Sequence, residues 1–464
     1  MIFASHIFIF GFLPLFLVVY YLVPVRARSA LILLASYAFY GWWRVDYLAL
    51  VMAISLVSYV SADCAVKAVG IRARRRAVGV GVFLILSALG YFKYATFVVG
   101  IGSDVDTAFG GAGFAIDAII LPIGISFLSF QAISYVIDVA RGDAPPARNV
   151  IDYMAFVSLF PQLIAGPVLR YKDLADQFVH RVHSAEKFTL GVRRFVEGLA
   201  MKLLVADTVA PLADRAFALA DPTLAEAWLG ALAYSIQLLF DFAGYSSMAI
   251  GLGLMVGFTF VENFNAPYTS TSITEFWRRW HISLSAWLRD YLYVSLGGNR
   301  RGKLATYRNL MLTMVLGGLW HGANLTFILW GAWHGIALAV ERVLGVRAGQ
   351  TRLPWGLSWV TTMLVVIMGW VMFRAPSVDA AFTMYHGMVG LNDVAPTAGF
   401  MYATQTIELL GLGVGAALAT IGPRLRPGFE MFQMPRAATT VCLFGVSTLV
   451  LSARVHSPFL YFQF

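Results

Sequence analysis

Residues 309–340 read NLMLTMVLGGLWHGANLTFILWGAWHGIALAV, which is a run of 32 residues without a single Lys, Arg, Asp or Glu. About 20 apolar residues are needed to cross a bilayer, so this run is too short for two full spans. Arg308 precedes it and Arg342 follows it. Because basic loops face the cytoplasm, the run must enter and leave on the same side. We therefore predict a bent hairpin that turns inside the membrane.

The whole chain has the composition of a membrane protein. Its 464 residues are 59% hydrophobic and 13% charged, whereas an average soluble domain is about 25% charged. Further uncharged runs occupy residues 1–25, 118–137 and 353–373. Membrane-spanning strands would give a weaker, alternating pattern. We predict an all-α integral membrane protein with about eleven transmembrane helices, together with re-entrant and interfacial helices around a central cavity.

The charges of the loops predict how the chain is oriented. A cluster of basic residues at 67–76 places that loop in the cytoplasm, and counting back places the N-terminus outside. The span 437–453 then delivers the C-terminal tail to the external side. We predict that the N-terminus and the tail both lie on the external side. Basic loops account for the net charge of +9, so the bilayer is the expected partner and nucleic acid is not. The isolated Cys64 and Cys442 predict neither a disulfide framework nor a metal site.

His321 is the first candidate for catalysis. It is the thirteenth residue of the run, which places it about 18 Å from the cytoplasmic end at 1.5 Å per helical residue. An ionisable residue at membrane depth indicates a functional site. The amide of Asn324 is close enough in sequence to orient the imidazole. The alternative is a packing histidine bonded to a backbone carbonyl, and for His334, which repeats the Trp-His-Gly triplet, we favour that structural role.

Residues 275–293, EFWRRWHISLSAWLRDYLY, form the densest polar and aromatic stretch of the chain. Apolar residues recur in it every three or four positions, which predicts a helix that lies in the interface or lines an aqueous cavity. His281, in its middle, is the second candidate for catalysis. Arg278, Arg279 and Arg289 are candidates for binding the phosphates of a donor. The alternative is a surface anchor made of aromatic and basic side chains.

Polar residues also interrupt two other apolar stretches. Gln237, Asp241 and Tyr245 are four residues apart, so they share one face of a helix. An Asp within the membrane costs about 2.5–3.5 kcal/mol, which requires a partner or a cavity beside Asp241. Residues 160–167 have a proline near each end and predict a broken or re-entrant element. For both stretches, structural packing and a direct role in a cavity or donor site stay open.

Several strings resemble the membrane-bound O-acyltransferase (MBOAT) family, in particular the bacterial branch that O-acetylates alginate and related exopolysaccharides. The strings are FDFAGY at 240–245, ENFN at 262–265, the segment 273–293, GGNR at 297–300 and GLWHGAN at 318–324. The resemblance implies a single transmembrane domain over residues 1–464 with a catalytic core at about 120–345. It also implies acyl transfer from a cytoplasmic donor, acetyl-CoA or another acyl-CoA, with no bound cofactor. The bacterial branch implies a multi-pass protein of the inner membrane, in which the external N-terminus and tail are periplasmic.

The resemblance also implies roles for the two histidines. His321 matches the near-invariant histidine of the family, and His281 matches a second position that holds His or Asn. A neutral imidazole can remove the proton of a hydroxyl as its oxygen attacks a thioester. We expect His321 to be this general base and His281 to donate to the carbonyl oxygen or to position a reactant. The two roles stay open to exchange.

The expected final acceptor is a secreted polysaccharide. The alternatives are peptidoglycan, teichoic acid, or a transporter without acyltransferase activity. The tail 457–464 reads SPFLYFQF and resembles the C-terminal end of a small partner subunit of teichoic-acid D-alanylating family members. It is either an interfacial aromatic belt or a segment that folds back towards His321. In the second case Tyr461 accepts the acyl group and passes it to a periplasmic acetyltransferase or another polysaccharide-modification protein.

Overall fold

The computed structural model describes residues 1–117, 119–164, 166–346, 353–425, 437–453 and 459–460. These residues form helices and loops, and no strand occurs among them. The prediction of an all-α protein is therefore confirmed. The chain divides into two compact units, one made of residues 1–195 and 248–261 and the other of residues 196–247 and 262–464. The predicted catalytic core at about 120–345 stays a prediction.

Four helices among the described residues are long and apolar enough to cross a membrane. They are Asp46–Lys67, Ile71–Ala108, Leu224–Met255 and Trp355–Arg374. Shorter apolar helices occupy Ile7–Leu22, Thr406–Thr420 and Ala437–Ala453. The four long apolar helices agree with a protein that crosses the membrane several times. The predicted total of about eleven spans stays a prediction.

The first unit contains a series of helices, linked mostly by short loops and once by the longer connection 109–124. In chain order they are Ile7–Phe12, Leu13–Leu22, Arg28–Gly41, Asp46–Lys67, Ile71–Ala108, Ile125–Arg141, Val150–Val157, Phe160–Leu163, Tyr171–Val179 and the start of Ala185–Ala200. The uncharged run that begins at 118 becomes helical only at Ile125, because Pro122 and Gly124 precede it and Gly124 has a φ of +75°. Phe160–Leu163 is a single short turn of helix, which agrees with the predicted broken element.

The second unit is built around a buried helix. Its elements after residue 200 are Met201–Ala206, Asp207–Phe217, Leu224–Met255 as far as Ser247, Ile273–Arg279, Ile282–Trp287, Leu288–Tyr293, Gly302–His321, Leu325–Val343, Trp355–Arg374, Val378–Met388, Ala398–Ala403, Thr406–Thr420, Gly422–Leu425 and Ala437–Ala453. The apolar window of Leu224–Met255 is 100% buried. Its polar side chains therefore face protein and not lipid.

The two helices of the predicted hairpin are present as Gly302–His321 and Leu325–Val343, joined by a three-residue turn. The position of this turn inside the membrane stays a prediction. The two helices pack so closely that a Cβ on Gly318 would overlap the carbonyl oxygen of Phe327. Both extend beyond the uncharged run into charged flanks. The first has 20 residues and is about 30 Å long. Neither helix is among the four candidate spans, so the expectation that the run is too short for two full spans stays a prediction.

The segment 275–293 differs from the single helix that its apolar spacing predicts. Two short helices, Ile273–Arg279 and Ile282–Trp287, are separated at Trp280 and His281, and a π-helix follows at Leu288–Tyr293. The expected apolar face is nevertheless buried. His281 causes the break, since its φ of 44° and ψ of 53° belong to the left-handed region that ends a right-handed helix.

Candidate active site

The two predicted catalytic histidines come together inside the second unit. The ring centroids of His281 and His321 are 6.4 Å apart, with 57° between the ring planes. His281 is fully buried and His321 is 5% exposed. They reach this place from different elements, because His321 is the last residue of the first hairpin helix and His281 lies at the break in 275–293. We call these two residues the histidine pair.

The conformation of His281 depends on Asn263, which lies 18 residues earlier in the chain. The backbone oxygen of Asn263 accepts from the N–H of Ile282 at 2.9 Å. Its side-chain Oδ1 accepts from the hydroxyl of Ser283 at 2.8 Å and from the N–H of Ser283 at 3.4 Å. These bonds hold the residues after His281 in place, so they stabilise a left-handed residue that would otherwise be strained.

The same asparagine determines which nitrogen of His281 carries the proton. Because a backbone N–H donates to Oδ1 of Asn263, this atom is an acceptor, and its Nδ2 donates to Ser246 at 3.1 Å. Nδ1 of His281 lies 3.0 Å from Oδ1 and must therefore donate to it. In the neutral ring Nε2 then has no proton and can only accept.

The protonation state of His281 follows from its burial. His281 lies outside the four candidate spans, and burial lowers the pKa of its imidazole to about 3. The ring is therefore neutral near pH 7, with its lone pair on Nε2. This arrangement does not favour the expected role of His281 as a donor to the carbonyl oxygen, since Nε2 has no proton to offer. It favours the positioning role that we expected as the other possibility.

Aromatic side chains surround His321. The rings of Trp320, Trp330 and Phe373 have centroids 5.0, 5.2 and 5.2 Å from the imidazole. All three rings are at least 96% buried, with exposed fractions of 4%, 1% and 2%. Their packing restricts the orientation of the imidazole and keeps bulk water away from it. A base in such surroundings acts on a reactant that is itself shielded from competing water.

Asn324 does not have the predicted role beside His321. Its Oδ1 accepts from the N–H of Thr326 at 3.1 Å, so it caps the second hairpin helix. Its Nδ2 donates to the carbonyl oxygen of Pro376 at 3.0 Å. The expectation that this amide orients the imidazole is therefore wrong, because asparagine at a helix N-cap uses its side-chain oxygen for the backbone.

The three candidate phosphate-binding arginines have different surroundings. Arg279 forms an ion pair with Glu275 at 2.7 Å. Arg289 forms one with Asp290, also at 2.7 Å. Arg278 is exposed and makes no ion pair with any residue that the structure describes. Two of the three guanidinium groups are thus already opposite a carboxylate, and phosphate binding by all three stays a prediction.

His334 lies in a second aromatic environment. It is fully buried, and the ring centroids of Trp277 and Trp330 lie 5.3 and 5.1 Å from its own. Neither ring nitrogen has a hydrogen-bond partner within the described ranges. The favoured structural role agrees with this packing, although the expected bond to a backbone carbonyl is not among its contacts.

Asp241 has the buried partner that its position requires. Nζ of Lys202 lies 2.7 Å from Oδ1 of Asp241 and 2.7 Å from Oδ1 of Asp207. The three side chains have exposed fractions of 4%, 2% and 9%. We call Lys202, Asp207 and Asp241 the buried charge cluster. Lys202 is a residue that the sequence analysis missed, although a lysine within an apolar segment is itself a signal for such a site.

The beginning of the aromatic tail contacts this cluster. The N–H of Leu460 donates to Oδ2 of Asp241 at 2.9 Å. The ring of Phe459 stacks on Tyr245, with centroids 4.4 Å apart and 29° between the planes. Phe459 and Leu460 are 2% and 6% exposed, so Phe459 is no part of a lipid-facing belt. Tyr461 lies outside the described residues.

Comparison with known proteins places the chain in a family. The model of the membrane-bound O-acyltransferase family matches residues 147–384, which include the histidine pair. A protein of Azotobacter vinelandii named Probable alginate O-acetylase AlgI is 50% identical, and the match covers 100% of both chains. A protein of the same name from Pseudomonas putida is 51% identical with the same coverage.

A more distant relative covers the same length. The Peptidoglycan O-acetyltransferase of Helicobacter pylori is 34% identical, over 100% of this chain and 98% of its own. All three relatives are named as enzymes that acetylate oxygen, which leaves no support for a transporter without acyltransferase activity. This chain belongs to the membrane-bound O-acyltransferase family, and it is a multi-pass membrane enzyme that transfers acyl groups to oxygen.

Proposed function

We propose that this enzyme moves an acetyl group from a cytoplasmic donor across the bacterial inner membrane for O-acetylation of alginate or a related exopolysaccharide. The observation that carries the proposal is the buried pair His281 and His321, 6.4 Å apart, in a chain whose full-length relatives are named as alginate O-acetylases. The proposed donor is acetyl-CoA or another acyl-CoA. A donor thioester supplies an activated carbonyl, so the protein has to activate the attacking hydroxyl.

In the proposed reaction His321 is the general base. Its imidazole removes the proton of the acceptor hydroxyl while the oxygen attacks the thioester carbonyl. An O–C bond forms, the C–S bond breaks, and the leaving thiolate takes the proton from His321. His281 is a positioning residue in this scheme, because its unprotonated Nε2 can accept a hydrogen bond from a hydroxyl between the two rings. A buried site without competing water favours transfer over hydrolysis.

We propose Tyr461 as the first acceptor of the acetyl group. Tyr461 directly follows Leu460, whose backbone N–H donates a hydrogen bond to Asp241. The ring of Phe242 contacts both Phe459 and His281. A phenol with a pKa near 10 loses its proton to a base more readily than an aliphatic hydroxyl does. The acetyl group then passes to a hydroxyl of a periplasmic acetyltransferase: a new O–C bond forms there, the bond between the phenolic oxygen and the acetyl carbon breaks, and the phenol regains a proton from that hydroxyl. The scheme requires the N-terminus and the tail to be periplasmic.

A second candidate acceptor is peptidoglycan, which the name of the Helicobacter pylori relative favours. Its identity to this chain is lower than that of the relatives named for alginate, 34% against 50% and 51%. We therefore put the secreted polysaccharide first. The two candidates differ in the polymer that loses its acetyl groups when the enzyme is inactive.

The test is a deletion strain of the source bacterium that carries either the intact enzyme or His321→Ala. We expect the intact enzyme to restore ester-linked acetate on the secreted polysaccharide, and the variant to restore about 10²–10⁴-fold less at equal membrane abundance, the usual contribution of a general base. Acetate on purified peptidoglycan is measured in the same cells. Loss of acetate from peptidoglycan alone, or full restoration by His321→Ala, contradicts the proposal.

A further inference from the structure

The buried charge cluster contains two acidic side chains and one basic side chain. One lysine, Lys202, faces two aspartates, Asp207 and Asp241, so the ionised cluster has one excess negative charge. Its side chains are almost completely buried. A carboxylate in such a place needs further hydrogen-bond donors, because burial removes the water that would otherwise solvate it. The N–H of Leu460 supplies one of them to Asp241 at 2.9 Å.

This contact holds the backbone of the tail, while neighbouring contacts recognise its side chains. Asp241 and Tyr245 are four residues apart on Leu224–Met255 and so lie on one face of that helix. Asp241 binds the N–H of Leu460, and Tyr245 stacks on Phe459 at a centroid distance of 4.4 Å. Two successive tail residues are therefore bound by two positions of one helix face, and both tail residues are buried.

A single ring, that of Phe242, contacts both the bound residue Phe459 and His281 of the histidine pair. Phe242, the residue after Asp241, has its ring centroid 6.1 Å from that of Phe459. The same ring meets His281 edge to face at 4.7 Å and 89°. A shift of Phe459 out of this packing would therefore remove a neighbour of the ring that contacts His281. The position of the tail and the geometry of the site are physically connected through Phe242.

We propose that the buried charge cluster and Tyr245 form a docking site for Phe459 and Leu460 of the same chain, with Asp241 as a positioning residue for acyl transfer. The docking site holds the backbone N–H of Leu460, the residue that precedes Tyr461 in the sequence. The positioning role rests on the proposed function, which makes Tyr461 the acyl acceptor. Docking itself is a property of the protein that can be measured without any acetyl transfer.

The experiment measures docking by the chemical accessibility of residue 460. The exposed Cys64 and Cys442 are replaced by serine, and Leu460→Cys is added, which keeps the backbone N–H that Asp241 binds. The full-length protein in detergent is treated with a maleimide, and the labelling rate is followed by mass spectrometry. We expect slow labelling in this background and a rate at least about tenfold higher, the ratio that a 1.4 kcal/mol loss of docking energy produces, after Asp241→Ala.

Two further variants separate docking from general misfolding. Asp241→Asn keeps an oxygen that can accept from the N–H at position 460, so its labelling rate should fall between those of the parent and Asp241→Ala. Phe459→Ala removes the stack on Tyr245 without touching the charge cluster, and it should also raise the labelling rate. Equal labelling of parent, Asp241→Ala and Phe459→Ala overturns the docking site.

Acetylation of the polysaccharide is measured in parallel for the same substitutions with Leu460 intact. We expect Asp241→Ala and Phe459→Ala to lower it at least about tenfold, and Asp241→Asn to restore a measurable part. Faster labelling with unchanged acetylation overturns the positioning role. His321→Ala should abolish acetylation and leave the labelling rate unchanged, so a failure of the proposed function is distinguishable from a failure of docking.

Discussion

Oδ1 of Asn263 lies 3.0 Å from Nδ1 of His281 and also accepts both the hydroxyl and the backbone N–H of Ser283. This one atom places the imidazole, maintains the left-handed turn and selects the tautomer. Because Nδ1 donates, the lone pair of the neutral His281 ring is on Nε2, and the ring centroid of His321 lies 6.4 Å from that of His281. If His281 takes part in acyl transfer as proposed, Asn263 acts on the reaction through it.

Asn263→Asp should change the pH dependence of acetyl transfer. A carboxylate beside Nδ1 favours the charged imidazolium, so the pKa of His281 rises from its lowered value. Below the raised pKa, Nε2 carries a proton and cannot accept, and activity should be lost as the pH falls. Transfer rates of parent and variant are compared from about pH 6 to about pH 9. An acid limb at the same pH in both proteins contradicts this account of His281.

Gly318→Ala should destabilise the hairpin. The added Cβ would overlap the carbonyl oxygen of Phe327, which is backbone and cannot rotate away, so we expect a loss of about 1–3 kcal/mol. The matched control is Gly413→Ala, another helical glycine, whose Cβ would meet nothing within 4 Å. Thermal unfolding in detergent should show a lower Tm for Gly318→Ala and no decrease for Gly413→Ala. Equal Tm values would mean that the two helices do not pack as closely as described.

Tyr461→Phe tests the proposed relay. The change keeps the aromatic ring and removes the hydroxyl, so polysaccharide acetylation should be lost while the protein remains in the membrane. With a radiolabelled acetyl donor, the C-terminal peptide of the parent should carry label and that of the variant should not. Tyr402→Phe is the matched control, because Tyr402 is 96% exposed. Acetylation at the parental rate in Tyr461→Phe would leave the tail without a role as acceptor.

The class of fold and the hairpin could be predicted because both follow from local composition. Residues 309–340 have no charge, and only helices satisfy the backbone in lipid. The helix ends could not be predicted in this way. The hairpin helices begin at Gly302 and end at Val343, in charged flanks that composition assigns to loops, since a helix continues wherever its backbone and packing allow.

The two histidines of the candidate site could be named from the sequence, whereas the residue that orients His281 could not, and their catalytic roles stay a prediction. His321 and His281 are ionisable residues in apolar or aromatic surroundings, which is a signal that sequence carries. The break at His281 depends on Asn263, 18 residues away, and the apolar spacing continues across it unchanged. Asn324 shows the opposite error, because nearness in sequence to His321 suggested a contact that helix capping prevents.

For Asp241, the sequence predicted that a partner exists but did not identify it. The cost of a carboxylate in an apolar segment predicted that a partner exists. It did not say that the partner is Lys202, 39 residues earlier, or that the tail supplies a backbone N–H 219 residues later. Such long-range pairings depend on how helices pack, and a single sequence has no local pattern that records them.

The most direct test of the account is the rate of acetyl transfer by the purified enzyme with His281→Asn, His281→Ala and His321→Ala. If His321 is the base and His281 an acceptor that positions a hydroxyl, His321→Ala should lose about 10²–10⁴-fold. His281→Ala should lose about 10²-fold, and His281→Asn, whose amide oxygen can still accept, should stay within about tenfold of the parent. Equal inactivation by His281→Asn and His281→Ala, with substantial activity left in His321→Ala, would contradict it and assign the proton transfer to His281.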